Sequence, residues 1–167
     1  LVPQPFRDDR GLFTRTFDAE IFDTHFGTPG FSASFVQDSQ SRSAKGVIRG
    51  MHGRSGRGEA KLVRCANGAV HDVLIDIRRN SPTFGRHVTQ ELAAGDGKQM
   101  FVPEGFAHGF MTLEPDSMVA YKVTSGYEPK SERGVAWDDP DLAVAWPAAL
   151  RADATLSPRD RQWPRLK

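Results

Sequence analysis

The chain has 167 residues, of which 38% are hydrophobic and 26% are charged, and its formal net charge is +1. This length and composition predict a soluble globular chain with one core, and they exclude two full domains or a long disordered tract. The near-neutral charge excludes a global field that attracts nucleic acid, and no apolar run reaches the roughly 20 residues that cross a bilayer.

Short segments that favour β-structure recur at intervals of about ten residues, separated by Gly, Pro, Asn and Asp. In chain order the predicted strands are 12–17, 32–39, 46–52, 60–66, 69–78, 87–92, 98–103, 107–113 and 117–124. Helical periodicity is weak, apart from a short predicted helix at 18–26 and another near the carboxyl end. Many short strands with polar turns predict an all-β sandwich or barrel, and a jelly roll is the fold that we expect.

Residues 46–64 concentrate positive charge in one short stretch. The basic residues are Arg49, His52, Arg54, Arg57, Lys61 and Arg64. Such a run is either a solvated strand edge that resists aggregation or a pocket for an anion such as phosphate, and the neighbouring histidines and tyrosine favour the pocket. Because side chains alternate along a strand, Arg49 and His52 can serve one site only if a bulge or turn occurs near Gly50.

His52, Glu59 and the His108 of "PEGFAH" follow the spacing of the two motifs of metal-binding cupins, which are jelly-roll proteins. Those motifs need a second histidine where this chain has Arg54. A guanidinium cannot give up its proton to bind a metal, and its charge repels a divalent ion. We therefore predict no metal and no cofactor. A metal-dependent cupin such as a dioxygenase is an alternative that the three remaining ligands leave open.

Several residues have no motif around them and are interpreted as structural. Cys65 lies in a predicted strand; a single cysteine excludes an intramolecular disulfide and is typical of a reducing cytoplasm. His25, His71 and His87 are interpreted as surface or packing residues. The apolar stretch within 139–150 is expected to pack the carboxyl-terminal segment on the barrel. The amino terminus lacks the pattern of a secretory signal, so we expect a cytoplasmic protein.

Alternation places Val119, Tyr121 and Val123 on one face of their strand, and the two valines indicate that this face is the inner one. Tyr121 is then either a core tyrosine with a satisfied hydroxyl or a phenol that faces a site. With His52 as a base and Lys61 beside a developing oxyanion, Tyr121 as an acid would complete a set of groups for enolisation. A carboxylate must still orient the imidazole, and residue types alone do not identify it.

Several long blocks of the sequence resemble the dTDP-4-dehydrorhamnose 3,5-epimerases. They include "FVQDSQSRSAKGVIRGMH", "DVLIDIRRNSPTFGRHV", "VPEGFAHGF" and "AYKVTSGYEPKSERG", and the resemblance runs from about Phe6 to Asp160. It implies one cupin-type jelly-roll domain over residues 1–167, a homodimer that exchanges its amino-terminal strands, and activity without a metal. It also implies an isomerase whose substrate is a nucleotide-linked 4-keto-6-deoxyhexose, inverted at C3, C5 or both on the route to L-rhamnose or related deoxysugars.

The resemblance further implies roles for individual residues. His52 would be the general base and Tyr121 the proton donor. Asp160 would hold the imidazole, and Lys61 would lie near the 4-keto oxygen. The other implied positions bind substrate: Gln37, Arg49 at the diphosphate, His108 in the sugar cavity, Tyr127 stacked on the base, Glu132, Arg159, and Phe6 and Arg10 reaching the nucleotide from the partner subunit.

Three features depart from the family pattern. Arg15 stands where a glutamate is expected, Ser39 stands where an asparagine is expected, and residues 52–60 replace an aromatic and proline-bearing loop. These departures leave open whether C3, C5 or both are inverted, and which nucleotide and hexose are used. The remaining alternatives are an epimerase of one carbon, a 3,4-ketoisomerase of dTDP-hexoses, and a non-catalytic sugar-binding cupin.

Overall fold

The computed structural model describes residues 1–26, 28–56 and 58–167. Over these residues it contains eleven strands, two short α-helices and three short 3₁₀-helices. The strands are β1 (Phe6–Asp8), β2 (Gly11–Phe13), β3 (Gln37–Ser43), β4 (Ile48–Arg54), β5 (Lys61–Asn67), β6 (Ala69–Asp76), β7 (His87–Ala93), β8 (Gln99–Val102), β9 (Phe106–Thr112), β10 (Ser117–Val123) and β11 (Glu132–Gly134). The α-helices are α1 (Ala19–Phe26) and α2 (Ala148–Arg151). In the part of the chain that the structure describes, no helix has the length and apolar character needed to span a membrane.

Two antiparallel sheets face each other and form the body of the molecule. Their strand orders are β3-β10-β5-β8 and β11-β4-β9-β6-β7, while β1 and β2 form a separate hairpin. Neighbouring strands are often distant in sequence, as in the pairing of Ser43 with Ser117. Apolar side chains from both sheets pack into one core between them, including Val63 and Val119 from one sheet and Val70 and Phe110 from the other. The predicted all-β jelly roll is confirmed.

A second core covers the outer face of the five-stranded sheet. There Ile48, Met51 and Met111 of the sheet pack against the carboxyl-terminal segment, which contributes Val144 and Trp146. Burying these side chains stabilises the docked segment by roughly 1.5–3 kcal/mol for each large apolar residue. The predicted packing of the stretch within 139–150 is confirmed, and this docking brings the following residues next to β4.

Two strand predictions were wrong in the region where a cluster of phenylalanines packs around the first helix. The predicted helix at 18–26 is confirmed as α1, and Asp18 Oδ1 accepts the backbone N–H of Ile21 at its start, 3.1 Å away. Strand structure ends at Phe13 instead of residue 17, and residues 31–34 form a 3₁₀-helix instead of a strand. The physical reason is aromatic packing: the Phe31 ring stacks on Phe22 of α1, and the Phe35 ring meets Phe22 edge-on.

The bulge required near Gly50 is present. The register between β4 and β9 shifts between Arg49 and His52, and Gly50 has φ +136°. A Cβ atom at Gly50 would lie 2.6 Å from the Cα of Gly109 on β9, so two glycines allow the backbones to approach closely here. Because of this irregularity, Arg49 and His52 both line the same cavity.

Candidate active site

A cavity of about 280 Å³ opens between the two sheets. Both sheets contribute to its wall, because β4 and β9 belong to one sheet and β3, β5 and β10 to the other. The predicted site residues that line it are Gln37, Arg49, His52, Lys61, His108, Tyr121, Tyr127, Glu132 and Arg159. Phe6, Arg10 and Asp160 do not line it. Arg57 of the predicted basic cluster lies outside the described residues.

Asp160 lies directly behind His52, within the hydrogen-bond reach that the pairing requires. His52 Nε2 is 2.7 Å from Asp160 Oδ1, and the carboxylate is almost completely buried. Because an ionised carboxylate only accepts hydrogen bonds, Nε2 carries the proton and Nδ1 keeps its lone pair. The imidazole is therefore held in the tautomer that a general base needs.

The carboxylate of Asp160 is fixed by more than the histidine. Oδ1 also accepts the indole N–H of Trp163 at 3.2 Å, and Oδ2 accepts the backbone N–H of Gly50 at 3.4 Å. Burial alone would raise the pKa of Asp160, but the hydrogen bond and charge of His52, followed by these two donors, hold the pKa below its usual value. The Trp163 ring covers Gly134 so closely that a Cβ there would lie 2.1 Å from it. Asp160 thus stays ionised in a fixed position.

Tyr121 lies across the cavity from this pair, on β10. It shares the inner face with Val119 and Val123, as alternation predicted. Burial raises the pKa of the Tyr121 phenol; the negative charge of Glu59 adds to this, and Arg49 opposes it. The phenol therefore keeps its proton over the neutral range and can donate it.

Lys61 and Arg54 share one buried carboxylate. Glu59 Oε2 lies 2.8 Å from Arg54 Nη2, and Oε1 lies 3.3 Å from Lys61 Nζ. The three side chains are all largely buried, so these ion pairs form in a poorly screened environment. Glu59, one of the three possible metal ligands, is thus bound to two cations. Within residues 1–26, 28–56 and 58–167 no three acidic, histidine or cysteine side chains are grouped as a metal would require.

Arg49 differs from the other arginines of the cavity. Arg54 pairs with Glu59, and Arg159 pairs with Glu132. Arg49 instead donates from Nε to the hydroxyl of Ser43 at 3.0 Å, and among the described residues it has no carboxylate partner. Among the described residues no carboxylate therefore offsets the positive charge of Arg49, and its guanidinium is available to bind an anion.

His108 belongs to a second histidine–aspartate pair that the sequence did not reveal. His108 Nε2 lies 2.9 Å from Asp72 Oδ2, and both side chains are buried. Asp72 is on β6, which runs next to β9 in the same sheet. The only signal for it was an acidic residue inside the apolar run of β6. The pair fixes the orientation of the His108 side chain at the cavity wall.

The remaining predicted positions lie at the edge of the molecule. Phe6 is 73% exposed and Tyr127 is 67% exposed, the first on the β1–β2 hairpin and the second at the cavity mouth. Arg10 forms an exposed ion pair with Asp8 of the same hairpin, 2.6 Å apart. This hairpin does not contribute to the cavity of its own chain.

All three departures from the family pattern have local partners, and within residues 52–60 these are the ion pairs of Glu59 described above. Arg15 forms a partly exposed ion pair with Asp18 at 2.9 Å. The hydroxyl of Ser39 accepts a hydrogen bond from the Gln37 amide at 2.9 Å, and both residues line the cavity. Arg15 therefore acts on the surface of its own chain, whereas Ser39 alters the cavity wall directly.

Comparison of the chain with known proteins finds that it is similar to one family of enzymes. The family model described as dTDP-4-dehydrorhamnose 3,5-epimerase matches residues 1–167. The dTDP-4-dehydrorhamnose 3,5-epimerase of Pseudomonas aeruginosa is 44% identical over 160 residues, which cover 96% of this chain and 86% of that protein. The corresponding enzyme of Escherichia coli K12 is also 44% identical, over 97% of this chain and 85% of that one.

Solved structures agree with the sequence relatives. The dTDP-6-deoxy-D-glucose-3,5-epimerase of Legionella pneumophila, in complex with dTDP-4-keto-L-rhamnose, superposes with a TM-score of 0.91 at 41% identity, covering 98% of this chain and 85% of that one. A 3′-monoepimerase from Streptomyces bikiniensis, in complex with dTDP-quinovose, superposes with a TM-score of 0.92 at 34% identity, covering 99% and 82%. The fold is therefore the cupin-type jelly roll that the resemblance implied.

Proposed function

The chain belongs to the dTDP-4-dehydrorhamnose 3,5-epimerase family, and from this premise we propose that it inverts a nucleotide-linked 4-keto-6-deoxyhexose, with His52 removing a proton from carbon on one side of the cavity and Tyr121 returning a proton on the other. As a member of this family it is an isomerase of deoxysugar biosynthesis. One observation carries the proposal: the candidate base and the candidate acid come from opposite sheets. A sugar bound between the sheets has one group on each face, and inversion needs removal and return of a proton on opposite faces.

Proton removal begins at a carbon next to the 4-keto group. The carbonyl makes the hydrogens at C3 and C5 acidic, because the carbanion delocalises onto oxygen. His52 takes the proton at Nδ1, and its Nε2–H stays bonded to Asp160 at 2.7 Å. The buried carboxylate stabilises the imidazolium as it forms. A positioned base of this kind contributes about 10²–10⁴-fold to the rate.

The enolate that results needs a positive charge at O4 and a proton on the other face. Lys61 supplies the charge, because its ammonium lies at the cavity wall on β5. Tyr121 supplies the proton, and its raised pKa keeps the phenol protonated until the enolate accepts it. The tyrosinate is then reprotonated from solvent, and His52 returns its proton to solvent, so the enzyme is restored.

Substrate binding is assigned to the rest of the wall. Arg49, with no carboxylate partner among the described residues, holds the diphosphate, and Tyr127 at the mouth stacks on the base. His108, oriented by Asp72, contacts the hexose. Its position on β9, with a phenylalanine on either side in the sequence, agrees with this role. Gln37, Glu132 and Arg159 line the same space and complete the substrate contacts.

We further propose that residues 1–167 act as one domain in a homodimer. Three large apolar side chains are exposed on the β1–β2 hairpin: Phe6 at 73%, Leu12 at 53% and Phe13 at 67%. Such a cluster on a two-stranded ribbon favours contact with another surface. In the dimer, Phe6 and Arg10 of one subunit would reach the nucleotide in the cavity of the other. A cytoplasmic location stays a prediction from the single cysteine.

The proposed reaction is tested by incubation of the purified protein with dTDP-4-keto-6-deoxyglucose in D₂O. NMR then follows the C3 and C5 positions of the sugar. Deuterium at both carbons supports double epimerisation. Deuterium at one carbon restricts the enzyme to one centre, and the product structure separates a monoepimerase from a 3,4-ketoisomerase. Binding of the nucleotide sugar without any exchange would overturn the proposal in favour of a sugar-binding module.

A further inference from the structure

The segment between β4 and β5 brings a buried carboxylate into the cavity that the proposed mechanism does not use. Glu59 is 8% exposed and lies between two cations, with Arg54 Nη2 at 2.8 Å and Lys61 Nζ at 3.3 Å. A buried carboxylate is costly unless it is paired, and here both oxygens are occupied by charged donors. The geometry therefore ties Lys61 to a fixed anion.

Arg54 extends this connection to the opposite end of the cavity. Its Nη1 donates to the carbonyl oxygen of Gly126 at 3.0 Å and to the hydroxyl of Ser131 at 3.4 Å. Both acceptors lie on the segment between β10 and β11 that carries Tyr127. One guanidinium thus links the carboxylate that holds Lys61 to the backbone that presents Tyr127.

We propose that Arg54 and Glu59 form a positioning unit that holds the Lys61 ammonium at the site of the enolate oxygen and the Tyr127 segment at the site of the nucleotide base. This inference rests on the proposed function of Lys61 and Tyr127. A lysine side chain is a mobile point charge on a four-carbon stem, so a fixed anion is needed to keep it in one place. Glu59 supplies this anion, and Arg54 neutralises it so that the charge of Lys61 remains available to substrate.

Glu59 also acts on Tyr121. After burial, its negative charge is the largest contribution that raises the pKa of the phenol, while Arg49 lowers it. Glu59 thereby helps to keep the proposed acid protonated. The charged and titratable groups that share the cavity with Tyr121 are Arg49, His52, Arg54, Glu59, Lys61, His108, Tyr127, Glu132 and Arg159.

The first test is spectroscopic and does not depend on activity. The chain has two tyrosines, Tyr121 and Tyr127, so a Tyr127→Phe background leaves Tyr121 as the only phenol. Titration of the tyrosinate absorbance then reports its pKa directly. In this background Glu59→Gln should lower the midpoint by roughly half a pH unit or more, and Arg49→Gln should raise it. An unchanged midpoint in the Glu59→Gln variant would overturn the role of Glu59 at Tyr121.

The second test separates positioning from simple structural support. Glu59→Gln should lower kcat about tenfold or more, because Lys61 loses its anchor, and Arg54→Gln should raise KM, because the Tyr127 segment loosens. The double variant Arg54→Gln/Glu59→Gln removes one charge of each sign and leaves Lys61 as the one member of the cluster without its partner, so the melting temperature should recover in part while kcat stays low. If kcat recovers together with the melting temperature, the pair is structural only and the inference fails. A wild-type protein without exchange in D₂O would instead refute the proposed function, and the tyrosine titration would still report on Glu59.

Discussion

Replacement of Asp160 by asparagine tests the proposed base most directly. The side chain keeps its shape, and the amide oxygen can still accept the hydrogens of His52 and Trp163, at present 2.7 Å and 3.2 Å away. The amide NH₂ then faces the N–H of Gly50, which loses only the weakest contact, 3.4 Å long. The tautomer of His52 is therefore retained, and what the variant removes is the negative charge beside the imidazolium.

The magnitude follows from the distance between the two groups. Two unit charges separated by the 2.7 Å of this pair attract each other by about 1.5 kcal/mol in water and about 6 kcal/mol at the effective dielectric constant near 20 of protein sites. Asp160 is buried while His52 is partly exposed, so the true value lies between these limits. At about 1.4 kcal/mol for each tenfold change, kcat should fall roughly 10- to 10⁴-fold.

The assay is turnover of dTDP-4-keto-6-deoxyglucose, with deuterium exchange at C3 and C5 as the readout. Because Asp160 does not line the cavity, the Kd for dTDP should remain that of the wild-type protein, and this serves as the control for folding and binding. A variant that binds dTDP normally and turns over at the wild-type rate would refute the assignment of Asp160 as the residue that supports the base.

Three further predictions concern the bulge, a half-buried histidine that packs against Trp146, and the metal question. Gly50→Ala should destabilise the fold by roughly 2–6 kcal/mol, because φ is +136° and the new Cβ would lie 2.6 Å from Gly109. The control variant Gly95→Ala, with open space around it, should leave the melting temperature unchanged. Equal melting temperatures of the two variants would contradict the role of the bulge. Burial lowers the pKa of His71, whose Nε2 has no partner among the described residues. The unfolded chain therefore binds a proton at His71 more readily than the folded one, and the stability present above pH ~6.5 is lost as the pH falls below that value. His71→Leu should remove this loss, and melting temperatures at pH 7.5 and 5 that fall equally in both proteins would count against it. Prolonged dialysis against EDTA should leave turnover unchanged, and a loss that a divalent metal restores would favour a metal-dependent cupin.

Local patterns in the sequence predicted the parts of the fold that depend on neighbouring residues. Alternation placed Tyr121 inward, and the same rule required the irregularity at Gly50 that the structure contains. The strand predictions failed at residues 14–17 and 32–36, where contacts with α1 override the local preference for β-structure. The three-residue strand β11 was not predicted, because so short a strand exists only through pairing with β4.

The candidate site divides in the same way. Residue types and spacing indicated His52, Lys61 and Tyr121, since each suits a step of proton transfer. The resemblance to a family was needed for Asp160, which is separated from His52 by 108 positions along the chain. Asp72 and the pairing of Glu59 with two cations escaped both routes, because only the packed structure shows which side chain a buried charge meets.

The packing of Trp163 over Gly134 holds the acidic half of the histidine–aspartate pair in place from a segment that belongs to neither sheet. Removal of the segment after α2 would leave the strands of both sheets in the chain, yet the imidazole would lose its anchor and the cavity would lose Arg159. In such truncated material turnover should fall at least as far as in the Asp160→Asn variant. The intact mass of any preparation with low activity should therefore be measured, because it shows whether the carboxyl-terminal segment is present.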